Sequence, residues 1–171
     1  LTPPDWHVDN FAQLADRLVG TTDEAVISFA HVYRKTRINM DAASRLHGFG
    51  WNDPPDDEKR ELVARLAVVA ADRGIRLTLC SQEAYLVPGV APARCIDAER
   101  LSDVAGRPIA ARRRGNRPGC LCSESRDPGH YDTCPHGCVY CRSPERRVGQ
   151  ECRYRWAPDP SQKTLLTPLT H

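Results

Sequence analysis

Ala25-Val26-Ile27-Ser28-Phe29-Ala30 is a short, nearly continuous apolar run. That is the pattern of a strand buried on both faces of a parallel sheet, where neither side of the pleat meets water. It leads into Tyr33-Arg34-Lys35-Thr36-Arg37, a burst of charge where the strand should end. A second strand is expected at Ile75-Arg76-Leu77-Thr78-Leu79-Cys80, apolar at alternate positions until Cys80.

Helical signals surround both runs. Upstream, Val8, Phe11, Leu14 and Leu18 form one apolar face, with Thr2 or Asp5 as the capping residue and Gly20 at the exit. A short helix is expected over residues 41–46, followed by the loop Gly48-Phe49-Gly50-Trp51-Asn52. Asp53-Pro54-Pro55 opens the strongest helix, with Leu62, Leu66 and Val69 on one stripe and Gly74 at its end. After the second strand a loop reaches Cys95. Asp97 then caps a short helix through Leu101 and Val104, closed by Gly106. From Arg107 onward no strong period remains, and there is no internal repeat.

Helix–strand–helix–strand–helix is the grammar of an α/β fold with parallel strands. Two strands alone would leave both edges bare and both faces uncovered. The chain also opens on Leu1, not Met, and Leu1-Thr2-Pro3-Pro4 reads as the exit from a strand. Residues 1–106 are therefore expected to be the C-terminal part of a larger parallel (β/α) barrel-like domain. A cysteine-rich metal-binding loop region is expected over residues 107–142, and an irregular tail over 143–171. In such folds the C-terminal ends of strands carry the chemistry, which singles out residues 33–37 and Cys80.

A chain of 171 residues holds one ordinary domain, and 40% hydrophobic with 27% charged residues is the balance of a soluble globular protein. No apolar run is long enough to span a membrane, and a cytoplasmic location is expected. Eight cysteines admit a disulfide framework or metal-bound thiolates in a reducing compartment. The long helical patterns favour the second. The net charge of +2 hides an asymmetry: residues 1–106 carry 12 Lys+Arg against 16 Asp+Glu, whereas residues 107–155 carry 11 Arg against 5 acidic residues. An arginine-rich segment contacts phosphates, forms a solvated surface or counters an anionic cluster. Nucleic acid is thus a possible partner, though the other two uses are favoured.

The densest chemistry is Cys134-Pro135-His136-Gly137-Cys138-Val139-Tyr140-Cys141, a Cys-x3-Cys-x2-Cys array. Its spacing also fits one face of a helix, but Pro135 and Gly137 make a continuous helix poor. A loop wrapping three thiolates round one point is the better account. Zinc usually takes four ligands from paired cysteine units, whereas three close cysteines leave one metal position open. An open position suits a [4Fe–4S] cluster that does chemistry. The spacing, with Tyr140 just before the last cysteine, resembles the cluster motif of radical S-adenosylmethionine enzymes.

Four separated stretches carry a wider resemblance: residues 29–40 (FAHVYRKTRINM), LTLCSQE ending at Glu83, ARCID ending at Asp97, and CLCSESRDPGHYDTCPHGCVYC ending at Cys141. In this order they resemble the bacterial family catalogued as domain of unknown function 1848, over most of the chain from about residue 11 to residue 141. That family is regarded as radical S-adenosylmethionine-like, with a barrel-type body and a C-terminal cysteine array. The resemblance implies that Cys134, Cys138 and Cys141 hold the cluster, while Cys80, Cys95, Cys120 and Cys122 match the family's other cysteines. This sequence departs from it at Gln82, where the family usually has an acid, and at Arg142-Ser143-Pro144, where Tyr-Ala-Asn is usual. In ordinary radical enzymes the cluster motif follows the first strand; here it comes last.

Cys80, Cys95, Cys120 and Cys122 come from three segments and admit three readings: an auxiliary iron–sulfur cluster, a structural zinc, or buried thiols without a ligand role. Cys152 reads as a spare thiol and His136 as a neighbour of the ligands. Arg34, Lys35, Arg37 and Asn39 are expected to grip a carboxylate or phosphate of a cofactor or substrate, with a solvated loop as the alternative. Tyr140 is expected near the adenine of S-adenosylmethionine. Three function classes follow: a radical S-adenosylmethionine-type enzyme of unknown substrate, a zinc-stabilised binding module, and a nucleic-acid modification or repair protein. Radical chemistry needs a complete barrel, so residues 1–171 by themselves are expected to bind a cluster without turning over.

Overall fold

The computed structural model describes residues 2–115, 118–125 and 138–139. Helix α1 (Pro4–Leu18) precedes strand β1 (Glu24–Ile27), and helices α2 (Arg34–His47) and α3 (Asp56–Ala71) lead to strand β2 (Arg76–Leu79). A 3-10 turn (Glu83–Tyr85), strand β3 (Ala91–Pro92) and helix α4 (Ala98–Ala105) follow. The three strands form one parallel sheet in the order β1-β2-β3, with Ile27 opposite Leu79 and Leu79 opposite Pro92. Among the described residues the sheet is a three-stranded α/β layer, open at the β1 edge.

The core lies where α3 crosses β2. Val63, Leu66 and Ala70 of α3 meet Leu77 and Leu79, with Ile75 and Val90 completing the cluster. Three neighbours in β2 are buried in succession, Leu77, Thr78 and Leu79, so the expected alternation gives way to a central strand covered on both sides. The first run behaves the other way. β1 starts one residue earlier and ends at Ile27, and Val26 is 46% exposed, because β1 pairs on one side only. The third strand lies in the stretch that reads as loop; two residues, one of them a proline, give no periodic signal.

Helix ends account for further differences. Pro3, not Thr2 or Asp5, occupies the N-cap of α1 and makes no side-chain cap bond. Thr2 instead meets His7 Nε2 at 2.8 Å, and Asp5 pairs with Arg65 at 2.6 Å. The buried residue of α1 is Ala15, with Val8 and Phe11 packed beside the core and Leu14 and Leu18 half exposed. On α3 the buried stripe is Val63, Leu66 and Ala70, rotated from the expected Leu62, Leu66 and Val69. Helix α2 begins at Arg34, so the charged stretch after β1 is the first turn of a helix and not a strand-end loop. Helix α4 matches its signals: the Asp97 carboxylate accepts from the Glu99 and Arg100 N–H groups, and Gly106, at φ 62°, closes the helix in the left-handed conformation.

Arg100 ties α4 to the start of the sheet. Its guanidinium donates to Asp23 and, at 3.1 Å, to Glu24, which also accepts from Thr78 Oγ1 at 2.9 Å. The Arg100 hydrogen bond holds the Asp23 carboxyl below its ordinary 3.8. A depressed carboxyl stabilises the fold above its unfolded value and loses that contribution as pH falls through its folded value. We therefore expect the urea midpoint to fall below pH 3.8 more steeply in the native chain than in Arg100→Gln. Because both side chains are solvent-facing, salt should shrink the difference.

Candidate metal centre

Parallel pairing delivers the chemistry-bearing residues to one end of the sheet. Cys80 follows β2 directly and donates its N–H to the Ile27 carbonyl at 2.9 Å. Ala93 N–H reaches the Leu79 carbonyl at 2.8 Å, which sets Cys95 two residues beyond, beside Cys80. The two sulfurs stand 3.5 Å apart. This exceeds the roughly 2.05 Å of a disulfide and is thiol hydrogen-bond contact. Ser81, next to Cys80, has φ 54°, a left-handed conformation that a serine holds only under constraint from its surroundings.

The segment 118–125 closes over this pair. Ser123 N–H donates to the Ile96 carbonyl at 2.8 Å and Ser123 Oγ accepts from Ala98 N–H at 3.2 Å. An isolated antiparallel bridge joins Ser123 to Arg113, flanked by Arg114 N–H to the Cys122 carbonyl and Glu124 N–H to the Arg112 carbonyl. Cys122 is thereby buried at 5% exposure and interacts with the Cys95 thiol. Burial, then the neighbouring Cys80 and Cys122, push the Cys95 thiol up to about 12. Cys120 is part-buried, and a methyl added at Gly115 would overlap its carbonyl and Cβ. As the side chains stand, no three His, Cys, Asp or Glu among the described residues are gathered closely enough to hold an ion.

Of the Cys-x3-Cys-x2-Cys array, Cys138 and Val139 are described and exposed; Cys134, Tyr140 and Cys141 lie outside the described residues. Asn39 Nδ2 donates to the Val139 carbonyl at 3.3 Å, which ties the residue after Cys138 to α2. Arg34 and Lys35 lie on the first turn of the same helix, and Arg37 stacks over Trp51 at 5.7 Å. Trp51 in turn donates to Asp41 at 3.1 Å.

Three residues not assigned a role by the sequence shape this end of the sheet. Gln82 is buried and clasps β1: its Oε1 accepts from Phe29 N–H at 2.8 Å and its Nε2 donates to the Phe29 carbonyl at 3.1 Å. A glutamate at this position would keep only the first bond: an ionised carboxylate accepts from Phe29 N–H but cannot donate to its carbonyl. A cavity of about 710 Å³ opens between α1, the end of β1, α2 and α3. Lys59 lines it, buried and bonded to Asp53 at 2.8 Å, with the Tyr85 ring beneath its ammonium. Thr36 lines it too, and its buried hydroxyl has no partner among the described residues. As the third residue of α2 it sits too near the helix start for the usual bond to a carbonyl one turn back. A lone lysine or threonine carries no sequence pattern that would mark it.

Two stability measurements follow. Gln82→Glu should cost about 1–3 kcal/mol in urea denaturation, since the Phe29 carbonyl loses its donor and a carboxylate replaces a buried amide. For Lys59, burial lowers the pKa, but the bonds from Asp53 and Tyr85 outweigh it and leave the net shift above 10.5. Asp53→Asn should then cost about 2 kcal/mol near neutral pH, less than a fully buried pair because Asp53 is partly exposed. That difference should narrow as pH rises beyond 10.5, where the lysine of the native chain also loses its proton.

Residues 1–143 match the model of the family described as Domain of unknown function (DUF1848). No curated protein and no solved structure matches the chain. No helix among the described residues is long and apolar enough to cross a membrane.

Proposed function

The chain belongs to the DUF1848 family, and on that footing we propose that it is an iron–sulfur protein of the radical S-adenosylmethionine type. In this reading the three-stranded sheet is part of a barrel-like body whose bare β1 edge pairs further. The observation that supports it is the 3.3 Å bond from Asn39 to the Val139 carbonyl. That carbonyl lies between the second and third cysteines of the array. The bond joins the residue that follows solvent-facing Cys138 to the helix that follows β1.

The donor set fits the group. Cys134, Cys138 and Cys141 would hold three irons of a [4Fe–4S] cluster as thiolates, leaving one iron without a protein ligand. When bound, such a cluster supplies the electron that cleaves the sulfonium of S-adenosylmethionine. The chain's own residues bind and orient. Asn39 holds the peptide between Cys138 and Cys141 in place, as outer-shell amides do for metal-binding loops. Arg34 and Lys35, on the same helix, offer cations to the carboxylate of the co-substrate. Tyr140, next to Val139, is assigned to its adenine. The substrate itself is left open.

The test is anaerobic reconstitution with iron and sulfide, followed by EPR of the reduced chain with and without S-adenosylmethionine. We expect the added S-adenosylmethionine to change the spectrum. Asn39→Ala should retain a cluster while needing roughly ten times more S-adenosylmethionine for the same change, and Cys138→Ala should bind no complete cluster. A loaded cluster whose spectrum ignores S-adenosylmethionine would make the array a structural or redox centre and overturn the reading.

A further inference from the structure

Three of the remaining cysteines converge without forming a disulfide. Cys80 leaves the end of β2, Cys95 follows β3, and Cys122 comes from the segment bridged to Arg113. Chain segments far apart in sequence rarely bring thiols into contact unless something at the meeting point rewards it. Apolar packing does not supply that reward here. Of the described residues within 107–125, Cys122 alone is buried, and Ile109, Cys120, Leu121 and Ser123 are part-buried. An ordered, arginine-rich segment with so little apolar burial needs another source of stability.

The geometry points to a mononuclear metal site at the C-terminal end of the sheet, formed by Cys80, Cys95, Cys122 and Cys120 and taking one thiophilic divalent cation of the zinc class. The spacing separates this from a cubane cluster. Thiolates on one tetrahedral ion with metal–sulfur bonds of about 2.3 Å stand about 3.8 Å apart. Cys80 and Cys95 are at 3.5 Å. A cubane cluster instead takes each thiolate on a different iron, which spreads the sulfurs well beyond such contact. Cys120 stands two residues before Cys122, the spacing at which an extended chain turns side chains to the same side. The sulfurs need only local adjustment to close on an ion, since one change of χ1 rotamer moves a cysteine sulfur by about 3 Å.

On binding, the thiol protons leave to solvent and the thiolates take the cation. The ion then pins residues 118–125 across the ends of β2 and β3. This is a staple for the fold, closed on four sides and without an open position for chemistry. It is independent of the iron–sulfur reading, because Cys134, Cys138 and Cys141 take no part.

The experiment uses the whole chain, stripped of metal under reducing conditions and titrated separately with zinc and cobalt. One equivalent of zinc should bind, and the cobalt form should show the intense visible bands of a tetrahedral thiolate site. Cys138→Ala should leave both results unchanged. Cys95→Ser, at an exposed position where the side chain is not needed for packing, should weaken zinc at least 100-fold and remove the cobalt bands. Amide exchange at residues 118–125 should be slow with zinc bound and fast without it. The inference is overturned if Cys95→Ser binds zinc as the native chain does. It is equally overturned if exchange at 118–125 ignores the metal, or if iron and sulfide stay on the chain when Cys134, Cys138 and Cys141 are all alanine.

Discussion

The ladder between Glu24–Ile27 and Arg76–Leu79 decides where everything else stands, since a parallel pair brings both C-terminal ends to the same place. Ile27 faces Leu79, so the residues that follow each strand emerge side by side. Gln82 exploits this by holding both peptide groups of Phe29, and Cys80 does so by bonding to Ile27. A slip of one residue would turn Leu77 and Leu79 away from α3 and set the hydroxyl of Thr78 against it. The burial of those two leucines against Val63, Leu66 and Ala70 is therefore what keeps the register, and through it the position of the thiols.

Charge acts at the opposite end of the same strands. Asp23 and Glu24 meet Arg100 and Arg76, and Glu24 also satisfies the buried hydroxyl of Thr78. Surface ion pairs of this sort contribute little individually. Here they share one carboxylate with a buried hydrogen bond, so α4 is anchored to the sheet by a small network and not by an isolated pair. Anchoring α4 places Ala98 and Ile96 where Ser123 bonds to them, and so the acidic first two thirds of the chain presents a docking edge to the arginine-rich segment.

The two cysteine sets differ in the kind of support they receive. Cys80, Cys95 and Cys122 rest on strand ends and on backbone hydrogen bonds, with Cys122 inside the protein. Cys138 faces solvent, and the peptide after it is held by an amide side chain from α2. Thiols in mutual contact suit a closed structural site, and a solvent-facing cysteine suits a centre that meets a co-substrate.

Local chemistry was enough for much of this. Asp97 and Gly106 bracket α4 because a carboxylate cap and a left-handed glycine act within one turn, and Pro54-Pro55 mark the start of α3 for the same reason. The α/β class followed from two apolar runs set between helical periods, and the family resemblance from four cysteine- and charge-bearing stretches in order. What depended on the third dimension was which face each element buries and which residues meet. Val26 is exposed because β1 lies at an edge, β3 exists only because Leu79 has a free side to pair with, and Arg34 begins a helix that local charge made look like a loop. Gln82 with Phe29, Asn39 with Val139, and Cys80 with Cys95 are contacts across separations of 53, 100 and 15 residues. Composition and periodicity describe a residue's near neighbours along the chain, whereas these pairings depend on the register of strands and the packing of helices.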